Sequence, residues 1–81
     1  MKTITEDNVL ETITKVLKLK NGELQKTSAL GDFEEWDSLG HLDILSTLDR
    51  LFNGQLGGIN EMASANSVDK IIDALRANSL I

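Results

Sequence analysis

Cysteine, proline and tyrosine are missing from these 81 residues, and histidine and tryptophan occur once each. Without cysteine there is neither a disulfide framework nor a thiolate metal site. A single histidine excludes a multi-histidine metal centre. Proline is absent and β-branched residues do not alternate with polar ones over any long run, so helix is the default expectation. No apolar run approaches the ~18 residues a membrane-crossing helix needs, and the N-terminal MKTITEDNVL lacks the apolar core of a secretory signal. Basic charge is the scarcer sign: thirteen acids against eight bases leave a net charge of −5. Nucleic-acid binding needs a basic footprint, which this balance opposes. The absences together predict a cytoplasmic protein with no membrane insertion and no nucleic-acid partner.

What is present fits one small domain over residues 1–81. A chain this short buries only about 60% of the surface it exposes when unfolded, so it holds one thin core and no large enclosed site. The acids are unevenly spread. Between Thr27 and Asp49 there is no Lys or Arg, yet Asp32, Glu34, Glu35, Asp37, Asp43 and Asp49 fall there. Such a stretch is either a solvated acidic surface or an electrostatic docking face for basic partners.

Periodicity predicts three helices. Thr3 and Glu6 have capping-box spacing, and Val9, Leu10, Ile13, Val16 and Leu17 form an apolar stripe. The first helix is expected over Thr5–Leu19, with Asn21-Gly22 as its stop. Residues 21–37 show no sustained period, and a loop of that length in so small a domain is often functional. Its isolated apolar residues, Leu24, Leu30, Phe33 and Trp36, are expected to pin it to the helices. Asp37 is a suitable N-cap for a second helix beginning at Ser38. Along that helix Leu42, Ile44, Leu45, Leu48, Leu51 and Phe52 fill a broad apolar arc, His41 lies near its edge, and Asn53-Gly54 ends it. Leu39 projects onto the polar side with Asp43, Ser46 and Arg50. Residues 53–66 are irregular, with one short turn expected over Ile59–Ala63. Ser67 or Asn66 caps a last helix whose stripe is Val68, Ile71, Ile72 and Leu75, ending near Asn78 with Leu80 and Ile81 as a tail. The predicted fold is all-α: a small bundle of three main helices plus a short fourth, with a long loop between the first and second.

Three chemistries are conceivable around WDSLGH, residues 36–41. Ser38 and His41 stand three apart, so on a helix they are neighbours, and Asp37 or Asp43 could orient the imidazole for a serine nucleophile. An open helix end offers nothing to exclude water or hold a substrate, and a histidine at the edge of an apolar arc is more often a packing residue. Asp32, Glu34, Glu35 and Asp37 are a second candidate, as a cation cluster, but their spacing is not that of an EF-hand and Gly31 is not placed for one. Attachment is the third. A serine in the first turn of a helix is exposed, and an anionic ester there faces unpaired backbone N–H groups and the positive end of the helix dipole.

Asp37-Ser38-Leu39 resembles the Asp-Ser-Leu motif of acyl carrier proteins. The likeness extends over nearly the whole chain in length, acidity, the long loop before the motif, the helix SLGHLDILSTLDRLF and the final capped helix. Only the three motif residues are specific. The resemblance implies that Ser38 bears 4′-phosphopantetheine, added from coenzyme A by a phosphopantetheinyl transferase. It implies that Asp37 contacts that transferase, that Leu39 is a partner contact, and that Asp43 and Asp49 belong to a recognition helix. The chain would then be a non-catalytic, monomeric carrier of an acyl or aminoacyl thioester. Its partners would be a loading ligase and downstream transferases or synthases. Gly40 stands where fatty-acid carriers often have an acid, Arg50 falls in a usually glutamate-rich stretch, and Gly54–Gly58 departs from the usual link. These differences point to a specialised pathway rather than bulk fatty-acid synthesis. The competing reading is a helical protein-interaction module without a prosthetic group.

Overall fold

The computed structural model describes residues 4–81, with the backbone only at Ala63. They form three α-helices: α1 (Glu6–Val16), α2 (Ser38–Leu51) and α3 (Val68–Ala77). Two 3-10 turns, Gln55–Gly58 and Asn60–Ser64, lie between α2 and α3. No strand occurs among the described residues; one isolated bridge joins Ala29 to Ser67. The all-α expectation therefore holds, and the short fourth helix is replaced by two tighter turns.

Each helix begins on a side-chain cap. Thr5 accepts a hydrogen bond from the Asn8 N–H and donates its own N–H to Asn8 Oδ1, a reciprocal box that satisfies two otherwise orphaned donors. The expected Thr3–Glu6 box involves Thr3, which lies outside the described residues. Asp37 accepts from the Gly40 N–H at 2.8 Å, and Ser67 from the Lys70 N–H at 3.2 Å, both as predicted.

The helices also end alike. Lys18, Asn53 and Ser79 have φ of 58°, 58° and 59°, in the left-handed region. At each end the next residue's N–H turns back on the helix: Leu19 to the Thr14 carbonyl, Gly54 to Asp49, Leu80 to Leu75. This is the Schellman arrangement, which satisfies carbonyls the helix leaves free. It ends α1 at Val16, three residues before the predicted Leu19. Asn21-Gly22 is not the stop, because Leu19 turns back to pack partly against the core. Leu80 does the same, so it and Ile81 are half-buried rather than a free tail.

α1 packs on α2 and α3, and the 3-10 turns pack on α2 and α3 in turn. Val9, Ile13, Ile44, Leu48, Val68, Ile71 and Leu75 are fully buried at the centre. Burying one such side chain contributes about 1.5–3 kcal/mol before conformational entropy is charged against it. The arc predicted for α2 is narrower than expected. Ile44, Leu48 and Phe52 are buried, but Leu42 is 59% exposed and Leu51 37% exposed. With α1 and one short 3-10 turn as its main neighbours, α2 cannot have half its circumference covered.

Between α2 and α3 the chain is held by Leu56, Ile59, Met62 and Ala65, all buried. Their spacing of three is the 3-10 period, and it runs on in register to Val68 and Ile71.

Candidate functional site at the start of α2

The approach to α2 is built from local hydrogen bonds. Asp32 accepts the Ala29 N–H at 2.8 Å. The Trp36 N–H donates to the Phe33 carbonyl at 3.0 Å, and the Trp36 carbonyl accepts the Gly31 N–H at 2.9 Å. Farther back, Leu30 donates its N–H to the Asn66 carbonyl and Val68 donates to the Ser28 carbonyl, both at 2.9 Å, tying the loop to the start of α3. Of the four expected pins, Leu24 and Trp36 are buried, Phe33 is half-buried, and Leu30 is 39% exposed. Leu30 is not a pin, because its backbone is held by the bridge and its side chain is left outside.

Trp36 is the anchor of the segment. Its side chain is fully buried, and its indole N–H donates to His41 Nδ1 at 3.1 Å. The two rings lie within 21° of parallel. An accepting Nδ1 places the imidazole proton on Nε2, which is sealed from solvent and has no partner. Burial of the ring lowers the His41 pKa from its usual value, because the charged form is poorly solvated there. His41 is thus a core residue whose one accepting nitrogen is taken by the indole, and among the described residues no hydrogen bond joins it to Ser38.

Gly40 sits where no other residue fits without movement. A Cβ there would lie 2.2 Å from the Glu35 carbonyl oxygen and 3.3 Å from Leu17 Cδ2. Side-chain absence lets the approach segment lie against the first turn of α2. The glycine therefore has a steric cause of its own, separate from any departure from a fatty-acid carrier pattern.

These contacts leave Ser38 on the outside. It is exposed at the first position of α2. The Gly40 N–H is taken by the Asp37 side chain and the His41 N–H by the Asp37 carbonyl. The N–H groups of Ser38 and Leu39 have no partner among the described residues. Leu39 is 72% exposed and one turn of helix brings Leu42 near it, so an apolar strip adjoins the serine.

The predicted acidic face divides in two. Asp32, Asp37 and Asp49 each accept a backbone N–H, the last from Leu56 at 3.1 Å. Glu34, Glu35 and Asp43 are exposed without such a bond. Asp49 is half-buried and joins the end of α2 to the first 3-10 turn, a role the sequence reading missed; the N–H groups left unpaired at the start of any helical turn were the available signal. Among the described residues no three His, Asp or Glu side chains gather as a metal site. An open groove of about 320 Å³ lies between α2 and the 3-10 turns, lined by Leu45, Ser46, Asp49, Leu56, Ile59 and Met62. It begins roughly 10 Å along the helix axis from Ser38 at ~1.5 Å per residue. No helix among the described residues is long and apolar enough to cross a membrane.

No family model, curated protein or solved structure matches the chain.

Proposed function

We propose that this chain is a carrier protein of the acyl-carrier type, bearing an acyl or aminoacyl group as a thioester on 4′-phosphopantetheine attached to Ser38. The observation that carries the reading is the environment of Ser38: an exposed hydroxyl at the head of α2 beside two N–H groups without partners. The residues present fit the group. A phosphodiester on Ser38 Oγ faces those donors and the positive end of the helix dipole, and no charge has to be buried to put it there. When bound, the prosthetic group supplies the thiol, which explains how a cysteine-free chain would take part in thioester chemistry.

The chain's own residues have separate tasks. Asp37 caps α2 and is the carboxylate nearest in sequence to the hydroxyl offered to a phosphopantetheinyl transferase. Leu39, with Leu42 one turn on, offers apolar contact to a docking enzyme. Asp43, Glu34 and Glu35 steer basic partner surfaces toward this end, and Asp49 does so with whatever part of its carboxylate Leu56 leaves free. Each exposed ion pair is worth only ~0.2–1 kcal/mol, so complexes are transient and weaken with salt. Weak contacts suit a protein that must release each partner. Loading ligases and downstream transferases or synthases are the partners this reading implies, within a specialised cytoplasmic pathway.

Incubation of the apo chain with coenzyme A, Mg²⁺ and a broad-specificity phosphopantetheinyl transferase, followed by intact mass, tests the proposal. The expected result is one added phosphopantetheine, absent in Ser38→Ala. No addition, or addition that survives Ser38→Ala, overturns it. In that event the exposed Leu39–Leu42 strip favours an interaction module without a prosthetic group.

A further inference from the structure

The bond between Trp36 and His41 joins a donor that never titrates to an acceptor that does so near neutrality. The indole N–H needs a lone pair on Nδ1 at 3.1 Å. A proton taken from water onto that lone pair turns Nδ1 into a second donor. The indole then loses its partner, and two buried N–H groups face each other. The positive charge sits on a ring only 9% exposed. Nε2 gives no relief, since it is already buried without an acceptor.

The surroundings supply no compensating charge at contact range. The ionisable residues nearest to His41 along the chain are Glu34, Glu35, Asp37 and Asp43, with Asp32 farther back in the loop, and α1, which packs on α2, carries Glu6, Asp7, Glu11 and Lys15, with Lys18 just after it. Among the described residues no carboxylate oxygen comes within 4.0 Å of either ring nitrogen. The same ring holds down the segment that leads into Ser38. Trp36 is its buried anchor, and the Glu35 carbonyl rests against Gly40 with no side chain between.

We infer that Trp36 and His41 form a proton-operated latch on the segment that presents Ser38: neutral His41 holds residues 33–37 against the first turn of α2, and proton uptake at Nδ1 releases them. His41 is then a positioning residue for Ser38, and that part rests on the carrier reading, whereas the latch itself does not. Release moves Asp37, which caps the helix, and so alters the turn on which Ser38 stands. Burial lowers the imidazole pKa in the closed form, while an open, solvated ring titrates near pH ~6.5. Below ~6.5 the open form therefore binds more protons. The stability of the closed form is complete above that pH and declines as pH falls through the lower pKa of the buried ring. Comparison with His41→Asn assigns a transition in this range to the imidazole.

Trp36 is the chain's single tryptophan, so its fluorescence reports the latch directly. On the full apo chain, acrylamide quenching and the emission maximum are measured from pH 8 to 5. The expected result is a reversible, several-fold rise in the quenching constant with a red shift, midpoint below pH ~6.5, while far-UV circular dichroism keeps its helical signal. In His41→Asn the side-chain carbonyl oxygen stands near the position of Nδ1 and accepts without titrating, so its profile is expected to stay level. A level wild-type profile, or the same transition in His41→Asn, overturns the latch. Should His41→Asn fail to fold, the wild-type indole N–H resonance decides: faster solvent exchange on acidification supports the latch, and constant protection overturns it. For the positioning role, initial rates of loading by the transferase are compared at each pH, wild type against His41→Asn. The ratio is expected to fall in step with Trp36 exposure, and a constant ratio alongside the fluorescence transition overturns that role. No loading of either chain at any pH overturns the carrier reading, and fluorescence then decides the latch by itself.

Discussion

Residues 17–37, before α2, bury Leu17, Leu24 and the indole of Trp36 and are otherwise held by hydrogen bonds between named polar atoms; residues 53–66, after it, bury four apolar side chains at every third position, with backbone turns and one Asp49–Leu56 bond between them. Both connections are long and irregular, and both flank the same helix. The first depends on direction, because a hydrogen bond fails when its donor and acceptor are misaligned. The second depends on area, because apolar burial has no preferred direction. The first is the one that leads into Ser38, the residue the carrier reading makes the attachment point. Directional contacts fix where Ser38 stands, whereas apolar pegs serve to close the core under α3.

The sharpest way to break the first connection is Trp36→Ala. Loss of a fully buried indole should cost about 3–5 kcal/mol, read as a fall in the urea midpoint, and should leave His41 without its donor. Leu56→Ala does the corresponding damage to the second connection, at about 2–5 kcal/mol. If the two sides differ as described, Leu56→Met is tolerated within about 1.5 kcal/mol, while Trp36→Phe, which keeps an aromatic ring but removes the donor, costs more than its lost area alone. Equal tolerance on both sides would erase the distinction.

Gly40→Ala is a subtler probe. Alanine is the better helix former by about 1 kcal/mol, so a propensity argument predicts stabilisation. The close approach of the Glu35 carbonyl predicts net destabilisation of about 1–3 kcal/mol, with displacement of the approach segment. Thermal unfolding distinguishes the two signs. Asp37→Ala removes a cap and should cost about 1 kcal/mol; Asp37→Asn keeps the acceptor and should recover most of it. The smallest stability effect is expected for Leu39→Ala and Leu42→Ala, within about 0.5 kcal/mol, since both side chains already lie in water. On the carrier reading these two should nonetheless slow loading by a partner enzyme, measured as initial rate at fixed carrier concentration.

Much of this was legible beforehand, and the pattern of success has a cause. The caps at Asp37 and Ser67, the stop at Asn53-Gly54 and the buried stripe of α3 follow from local chemistry within one or two turns, where residue type and spacing are sufficient. The outward position of Ser38 and Leu39 also follows from helical projection. The misses are tertiary. Leu42 and Leu51 are as apolar as Leu48, and only the number of neighbours available to α2 decides which of them is covered. Lys18 ends α1 in a left-handed conformation that lysine does not favour, because Leu19 gains a place against the core.

The sequence by itself determined the class of fold, the starts of α2 and α3 at their caps, and the exposure of the serine at residue 38, because these depend on periodicity and on contacts within a few residues. The tertiary structure decided that Trp36 and His41 meet as donor and acceptor, that Gly40 must have no side chain, and that Asp49 is shared between a surface and a turn. Those facts depend on how an irregular segment folds back on the helix it precedes or follows. Nothing in the order of residues states which backbone carbonyl will arrive at a given Cα, or which ring nitrogen will be left without a partner.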